Sequence, residues 1–63
     1  MPYVNSSAMS RIEYDEAGRR LDIWFTATGR YSYFGVPLLI YVGLLNAPSK
    51  GRYFNDNIRD QYG

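Results

Sequence analysis

The stretch SKGRYFND, residues 49–56, holds the densest set of side chains that could bind an anion. Ser49 is a typical helix N-cap, and Lys50 and Arg52 would place two cations in the first turn of the helix that it starts. A helix start presents unpaired N–H groups and the positive end of the helix dipole, which attract phosphate. The predicted site for a phosphate or a nucleic-acid backbone consists of Ser49, Lys50, Gly51, Arg52, Tyr53 and Arg59.

A structural interpretation of the same stretch stays open. Ser49 would only cap a helix, Gly51 would only allow close packing or an unusual turn, and Phe54 would enter the core. The order Ser-Lys-Gly also reverses, rather than matches, the Gly-Lys-Ser of a phosphate-binding loop. The stretch therefore leaves two interpretations open, an anion site of unspecified ligand and the capped start of a helix.

The sequence argues against a catalytic function, because the chain contains no histidine and no cysteine. Its serines therefore lack the usual general base, and Lys50 could activate a hydroxyl only if it were desolvated. Asp56 and Asp60 lie one helical turn apart but could hold Mg²⁺ only with ligands from elsewhere. We expect a non-catalytic protein with no cofactor and no metal site.

Composition and length predict one small domain over residues 1–63. Seven Tyr, three Phe and one Trp supply a dense apolar core, which a chain of this length needs. The longest apolar run, at 36–45, has half of the roughly 20 residues that a membrane span requires. The N-terminus has no signal-peptide pattern, so we expect a cytoplasmic protein of bacterial or phage origin without membrane contact.

The net charge of the chain is close to zero, but the charged residues are unevenly distributed along it. Residues 1–29 carry three basic and four acidic groups, and residues 30–63 carry four basic and two acidic groups. The overall charge of +1 excludes a strongly basic nucleic-acid binder. The basic excess of the second half is a weak indication of an anionic partner.

Apolar residues alternate with polar ones before residue 36, which predicts three strands. The alternating sets include Ile12 with Tyr14, Leu21 with Ile23 and Phe25, and Tyr31 with Tyr33. DEAG (15–18) and ATG (27–29) are typical of tight turns, each ending in a glycine that can adopt positive φ. Short turns make neighbouring strands antiparallel, so we predict a meander.

The outer face of this sheet is predicted to carry Arg20, Asp22, Trp24, Thr26, Ser32 and Phe34. Other parts of the chain or a partner subunit could cover Trp24 and Phe34. Alternatively, the two rings could form a stacking platform for RNA bases. Only Arg20 is clearly placed beside them, so the sequence favours the covered face.

Two helices are predicted after Pro37. The first is apolar on almost every side and ends near Asn46, so we expect it to be largely buried on the sheet. Ser49 then caps a second helix from about Lys50 to Gln61. Its inward stripe is Phe54, Ile58 and Tyr62, and the predicted core contains Ile23, Phe25, Leu44, Phe54 and Ile58. The fold class is α+β: a three-stranded antiparallel β-meander followed by two C-terminal α-helices.

Five blocks of sequence resemble the KTSC domain, a short module named for its occurrence at the C-terminus of some lysyl-tRNA synthetases and also found in free-standing bacterial and phage proteins. They are SS (6–7), YD (14–15), LDIWF (21–25), GRYSYFGVP (29–37) and APSKGRYFNDNIRDQY (47–62). The last block is the most specific, and Glu13 departs from the small residue expected there. The resemblance implies a module associated with RNA-handling enzymes, but no defined activity.

Two hypotheses about function remain open. In the first, the domain contacts RNA or tRNA through Lys50, Arg52 and Arg59, with Tyr53 or Trp24 available for stacking. In the second, it joins another protein or a second copy of itself through the aromatic outer face or an unpaired edge strand.

Overall fold

Two tight turns fold the first half of the chain into the predicted antiparallel meander. A computed structural model describes residues 8–62; Ser6 and Ser7, which contribute to the family resemblance, lie outside that range. Strands β1 (Met9–Asp15), β2 (Arg20–Phe25) and β3 (Gly29–Tyr33) lie in the order β1-β2-β3, so β2 is central. Gly29 adopts φ 90° as expected, but the positive φ of the first turn belongs to Arg19, at 51°, and not to Gly18.

A β-bulge at Ser10 determines which side chains of β1 face inward. Met9 pairs with Phe25 and Arg11 pairs with Trp24, so no residue of β2 lies opposite Ser10 in the register. Because the bulge adds one residue, both Met9 and Ile12 are fully buried, while Arg11 lies on the opposite face. Strict alternation would not have placed Met9 in the core.

The first helix, α1 (Leu38–Asn46), follows Pro37 and ends at Asn46, as predicted. The Asn46 side chain donates a hydrogen bond to the carbonyl of Val42, 3.0 Å away. The expectation that this helix is largely buried is wrong. Only Leu44 is fully buried, whereas Leu39 is 81% exposed, because a short helix on one face of a small sheet can cover only one of its own sides.

The second helix, α2 (Lys50–Asn57), is shorter than predicted, because Ile58 leaves helical geometry at φ −122°. A turn over residues 58–61 replaces the expected last helical turn. The predicted inward stripe is nevertheless present: Phe54 and Ile58 are buried, and Tyr62 packs against the core.

The helices and the inner face of the sheet enclose one core. Its buried members are Met9, Ile12, Leu21, Ile23, Val36, Leu44, Phe54 and Ile58. Of the five predicted core residues, only Phe25 is half-buried instead of buried. Tyr14 joins sheet and helix by stacking on Tyr41 at 4.8 Å and donating a 2.6 Å hydrogen bond to the carbonyl of Val36.

Within residues 8–62, no helix has the length and apolar character needed to cross a membrane.

Candidate functional site

The start of α2 is capped as the sequence predicts. The Ser49 hydroxyl accepts a hydrogen bond of 3.4 Å from the backbone N–H of Arg52. Lys50 is half-buried and its ammonium donates to the carbonyl of Ala47 at 3.2 Å. One predicted cation of the site is therefore partly occupied in holding the link between the two helices.

Gly51 occupies an ordinary helical position, without positive φ. A Cβ added there would approach only the Cβ of Ala8, at 3.8 Å. Arg52 is highly exposed, and its Nε lies 3.8 Å from the carboxylate of Asp56, one helical turn further along α2. Such an exposed pair contributes little to stability and leaves the guanidinium accessible.

Tyr53 points away from solvent and towards α1. Its hydroxyl donates to the carbonyl of Ile40 at 3.1 Å, and its ring lies against Gly43. This packing gives Tyr53 a structural role in joining the helices. It lines a shallow hollow of about 330 Å³ with Ala47, Pro48, Ser49, Arg52, Asp56 and Asn57.

Arg59 lines a different groove from Arg52. This groove has a volume of about 290 Å³ and is formed with Phe25, Thr28, Tyr31, Tyr33 and Phe54. The structure thus brings Ser49, Arg52 and Tyr53 to one hollow and places Arg59 at another.

The outer face of the sheet carries a row of three residues, of which the sequence analysis identified Trp24 but missed the two arginines beside it. Arg11, Trp24 and Arg30 pair across β1, β2 and β3. The guanidinium carbons of Arg11 and Arg30 lie 4.5 Å and 6.0 Å from the centre of the Trp24 ring. We call these residues the Arg-Trp-Arg row.

The register of the second hairpin contained a signal for one of the two arginines in this row, Arg30. Gly29 closes the turn opposite Phe25, so the next residue, Arg30, must lie opposite Trp24. Arg11 could not be placed in this way, because its position depends on the bulge at Ser10.

Arg20, the cation expected beside Trp24, has another partner. Its Nε donates to Asp22 at 3.1 Å, and the Ser32 hydroxyl donates to the same carboxylate at 2.5 Å. These contacts explain why Asp22, predicted on the outer face, is only 7% exposed.

Trp24 and Phe34 do not form one platform. Trp24 is half-buried and pairs with Arg30, whereas Phe34 is 57% exposed in the bend after β3. At about 3.3 Å per residue, the four positions from Arg30 to Phe34 span ~13 Å. A single base could not stack on both rings.

Comparison with known proteins places this arrangement in a family. The family model of the KTSC domain matches residues 5–62. The chain belongs to the KTSC domain family. It is similar to a KTSC domain protein from Yersinia pestis of known crystal structure, with a TM-score of 0.96, 37% sequence identity, and coverage of 98% of this chain and 87% of that one. The resemblance seen in the sequence and the predicted fold class are both confirmed.

Relatives carry the KTSC domain in two settings. A lysine–tRNA ligase of Nostoc sp. is 38% identical over 56 residues, which are 89% of this chain and 10% of that protein. The chain thus spans about a tenth of the length of the lysine–tRNA ligases that it matches. A protein of Tsukamurella paurometabola is 36% identical over 62 residues, covering 98% of this chain and 92% of that relative. The family is therefore a small domain that occurs both within tRNA ligases and nearly alone.

Proposed function

We propose that this KTSC domain is a non-catalytic RNA-binding module that contacts single-stranded RNA with the outer face of its sheet. The Arg-Trp-Arg row carries the proposal. Indole rings stack on any nucleobase, and guanidinium groups bind phosphate with paired hydrogen bonds. A sheet face with an aromatic ring between two cations suits a flexible strand whose bases are unstacked.

Charge on the outer face favours Arg30 as the main phosphate contact. Arg11 pairs with Glu13, and Arg20 pairs with Asp22. Arg30 is exposed, and it forms no ion pair with any residue in the 8–62 range. The occurrence of related domains in tRNA ligases is consistent with an RNA ligand.

Intrinsic fluorescence tests the proposal, because Trp24 is the only tryptophan of the chain. Titration with a single-stranded RNA oligonucleotide should quench Trp24, and the affinity should fall as salt is raised. Arg30→Ala should weaken binding and reduce the slope of log affinity against log salt by about 0.7, the value for one phosphate on a single strand. Arg52→Ala removes the same charge from α2 and is the matched control.

The double variant Lys50→Ala with Arg52→Ala tests the alternative site at the start of α2. If RNA binding is lost in that variant and unchanged in Arg30→Ala, the helix start is the binding site and the sheet face is not. If RNA neither quenches Trp24 nor binds in a gel-shift assay at low salt, the RNA hypothesis is rejected.

A second candidate function, protein interaction or self-assembly, is favoured by the exposed apolar surface of α1. Leu38, Leu39 and Val42 are 43%, 81% and 40% exposed and lie within about one helical turn of each other. Exposed apolar patches commonly mark protein contacts. Sedimentation of the parent and of Leu39→Lys tests this candidate: a dimer that the lysine dissociates supports it, and a monomer at all concentrations argues against self-assembly.

A further inference from the structure

The groove that contains Arg59 is lined mainly by aromatic side chains. Phe25 contacts Tyr31 and Phe54 edge to face, with ring centres 5.8 Å and 5.0 Å apart, and Tyr33 contacts Phe54 at 5.5 Å. Phe54 forms the buried floor, while Tyr31 is half exposed at the opening. We call this feature, with its six lining residues, the aromatic groove.

The polar side chains that line the aromatic groove are all able to donate hydrogen bonds. They are Thr28, the two tyrosines and Arg59, and none of the lining residues is acidic. Within the part of the chain that the structure describes, Arg59 forms no ion pair. Burial raises the pKa of Tyr33, Tyr31 raises it further and Arg59 lowers it, so these side chains influence one another across the groove.

The aromatic walls and the Arg59 guanidinium together determine which shape and charge of ligand the groove favours. Aromatic walls favour a planar ring, which can stack on Tyr31 or meet the edges of Phe25 and Phe54. The unpaired guanidinium disfavours a cationic ligand, although aromatic pockets otherwise attract cations. A volume of about 290 Å³ leaves room for a ligand of the size of one nucleotide and not for a longer chain.

We propose that the aromatic groove binds one planar ring that carries an anionic group, with the ring against Tyr31 and Phe25 and the anion on Arg59. A nucleoside monophosphate and an aromatic carboxylate share this chemistry. The guanidinium can bind either phosphate or carboxylate through two parallel hydrogen bonds, and the Thr28 and tyrosine hydroxyls can donate to the remaining oxygens.

The proposed groove ligand does not depend on RNA binding at the outer face. Successive residues of a strand point to opposite faces, so Trp24 and Arg30 lie on the outer face while Phe25 and Tyr31 lie on the inner one. A ligand in the groove therefore cannot contact the Arg-Trp-Arg row directly. Binding at the groove and binding at the outer face can therefore be tested independently of each other.

An NMR titration of the full chain labelled with ¹⁵N tests the groove. Adenosine monophosphate should shift the amide signals of Thr28, Tyr31 and Arg59, and adenosine or inorganic phosphate alone should bind at least about tenfold more weakly, because each lacks half of the required contacts. N-acetyltyrosine, which carries a ring and a carboxylate, distinguishes the two sources of ligand by its affinity relative to adenosine monophosphate.

Variants separate the groove from other cationic surfaces. Arg59→Ala should weaken binding of adenosine monophosphate about tenfold or more, since a hydrogen bond to a charged group is lost, and Tyr31→Ala should also weaken it. Arg52→Ala and Arg30→Ala should leave it unchanged. Circular dichroism verifies that each variant is folded, which we expect because all four side chains are exposed.

Three results would overturn the groove proposal. The first is that neither adenosine monophosphate nor N-acetyltyrosine shifts the amide signals of the groove. The second is that adenosine and adenosine monophosphate bind with equal affinity. The third is that Arg59→Ala binds adenosine monophosphate as tightly as the parent does. Quenching of Trp24 by RNA in a protein whose groove fails these tests would leave the sheet-face proposal intact.

Discussion

Gly43 and Gly51 allow one substitution to be tested at two helical positions with opposite expected results. A Cβ on Gly43 would overlap the hydroxyl of Tyr53 and lie 2.8 Å from its Cζ atom, whereas a Cβ on Gly51 would meet only the Cβ of Ala8, at 3.8 Å. The Tyr53 ring cannot move aside freely, because its hydroxyl is bonded to the carbonyl of Ile40. Gly43→Ala should therefore destabilise the domain, and Gly51→Ala should not.

The size of the Gly43→Ala effect follows from three contributions. Alanine is favoured over glycine in a helix by about 1 kcal/mol. Overpacking costs about 1 to 3 kcal/mol, and loss of the Tyr53 hydrogen bond costs about 0.5 to 1.5 kcal/mol. The free energy of unfolding should thus fall by about 0.5 to 3.5 kcal/mol, and a loss of ~2 kcal/mol corresponds to a fall in Tm of roughly 8 to 16 °C in a domain of this size.

Urea unfolding and thermal melts followed by circular dichroism measure both glycine variants. Gly51→Ala should keep or raise the parent stability, by up to about 1 kcal/mol. The effect of Gly43→Ala should shrink in a Tyr53→Phe background, because the overlapping oxygen is gone and the hydrogen bond is already lost. If Gly43→Ala melts at or above the parent temperature, Tyr53 does not pack on Gly43 as described.

Three other substitutions test the cap of α2, the core and the half-buried phenol of Tyr33. Ser49→Ala should lower the free energy of unfolding by about 1 kcal/mol, because it removes the side-chain cap of α2, and an unchanged melt would show that the cap does not form in solution. Phe54→Ala should cost ~3 to 5 kcal/mol, a large share of the stability of so small a domain; a parent-like melt would contradict the placement of α2 on the sheet. Burial raises the pKa of Tyr33, so the folded state holds the phenol proton more tightly than the unfolded chain does. Stability should therefore be intact below about pH 10 and fall as pH rises above it, and less steeply in Tyr33→Phe, which urea unfolding across that range measures.

The elements of the fold were predictable because each rests on local signals. Alternation identified β2 and β3, and Pro37, Asn46 and Ser49 marked helix ends that the structure confirms. The faces of the helices were less predictable. Leu38, Leu39 and Val42 look like core residues by type, and only the size of the sheet beneath α1 decides that they stay exposed.

The candidate sites were predictable only where they are local in sequence. The packing of Tyr53 on α1 depends on how the two helices meet. The Arg-Trp-Arg row depends on the pairing of three strands, including the bulge at Ser10. Proximity in the sequence therefore missed the two cations beside Trp24, and the anion site at the start of α2 stays a prediction.

The position of both proposed sites at one end of β2 and β3 limits how a single ligand could use them. Arg30 and Tyr31 are neighbours on β3 that point to opposite faces, and β3 is an edge strand. One RNA strand could reach both the Arg-Trp-Arg row and the aromatic groove only by passing around that edge. Coupling between the two sites would then require an oligonucleotide long enough to turn around β3. Adenosine monophosphate in the groove should compete with such an oligonucleotide for binding. It should not compete with an oligonucleotide that is short enough to remain on the outer face.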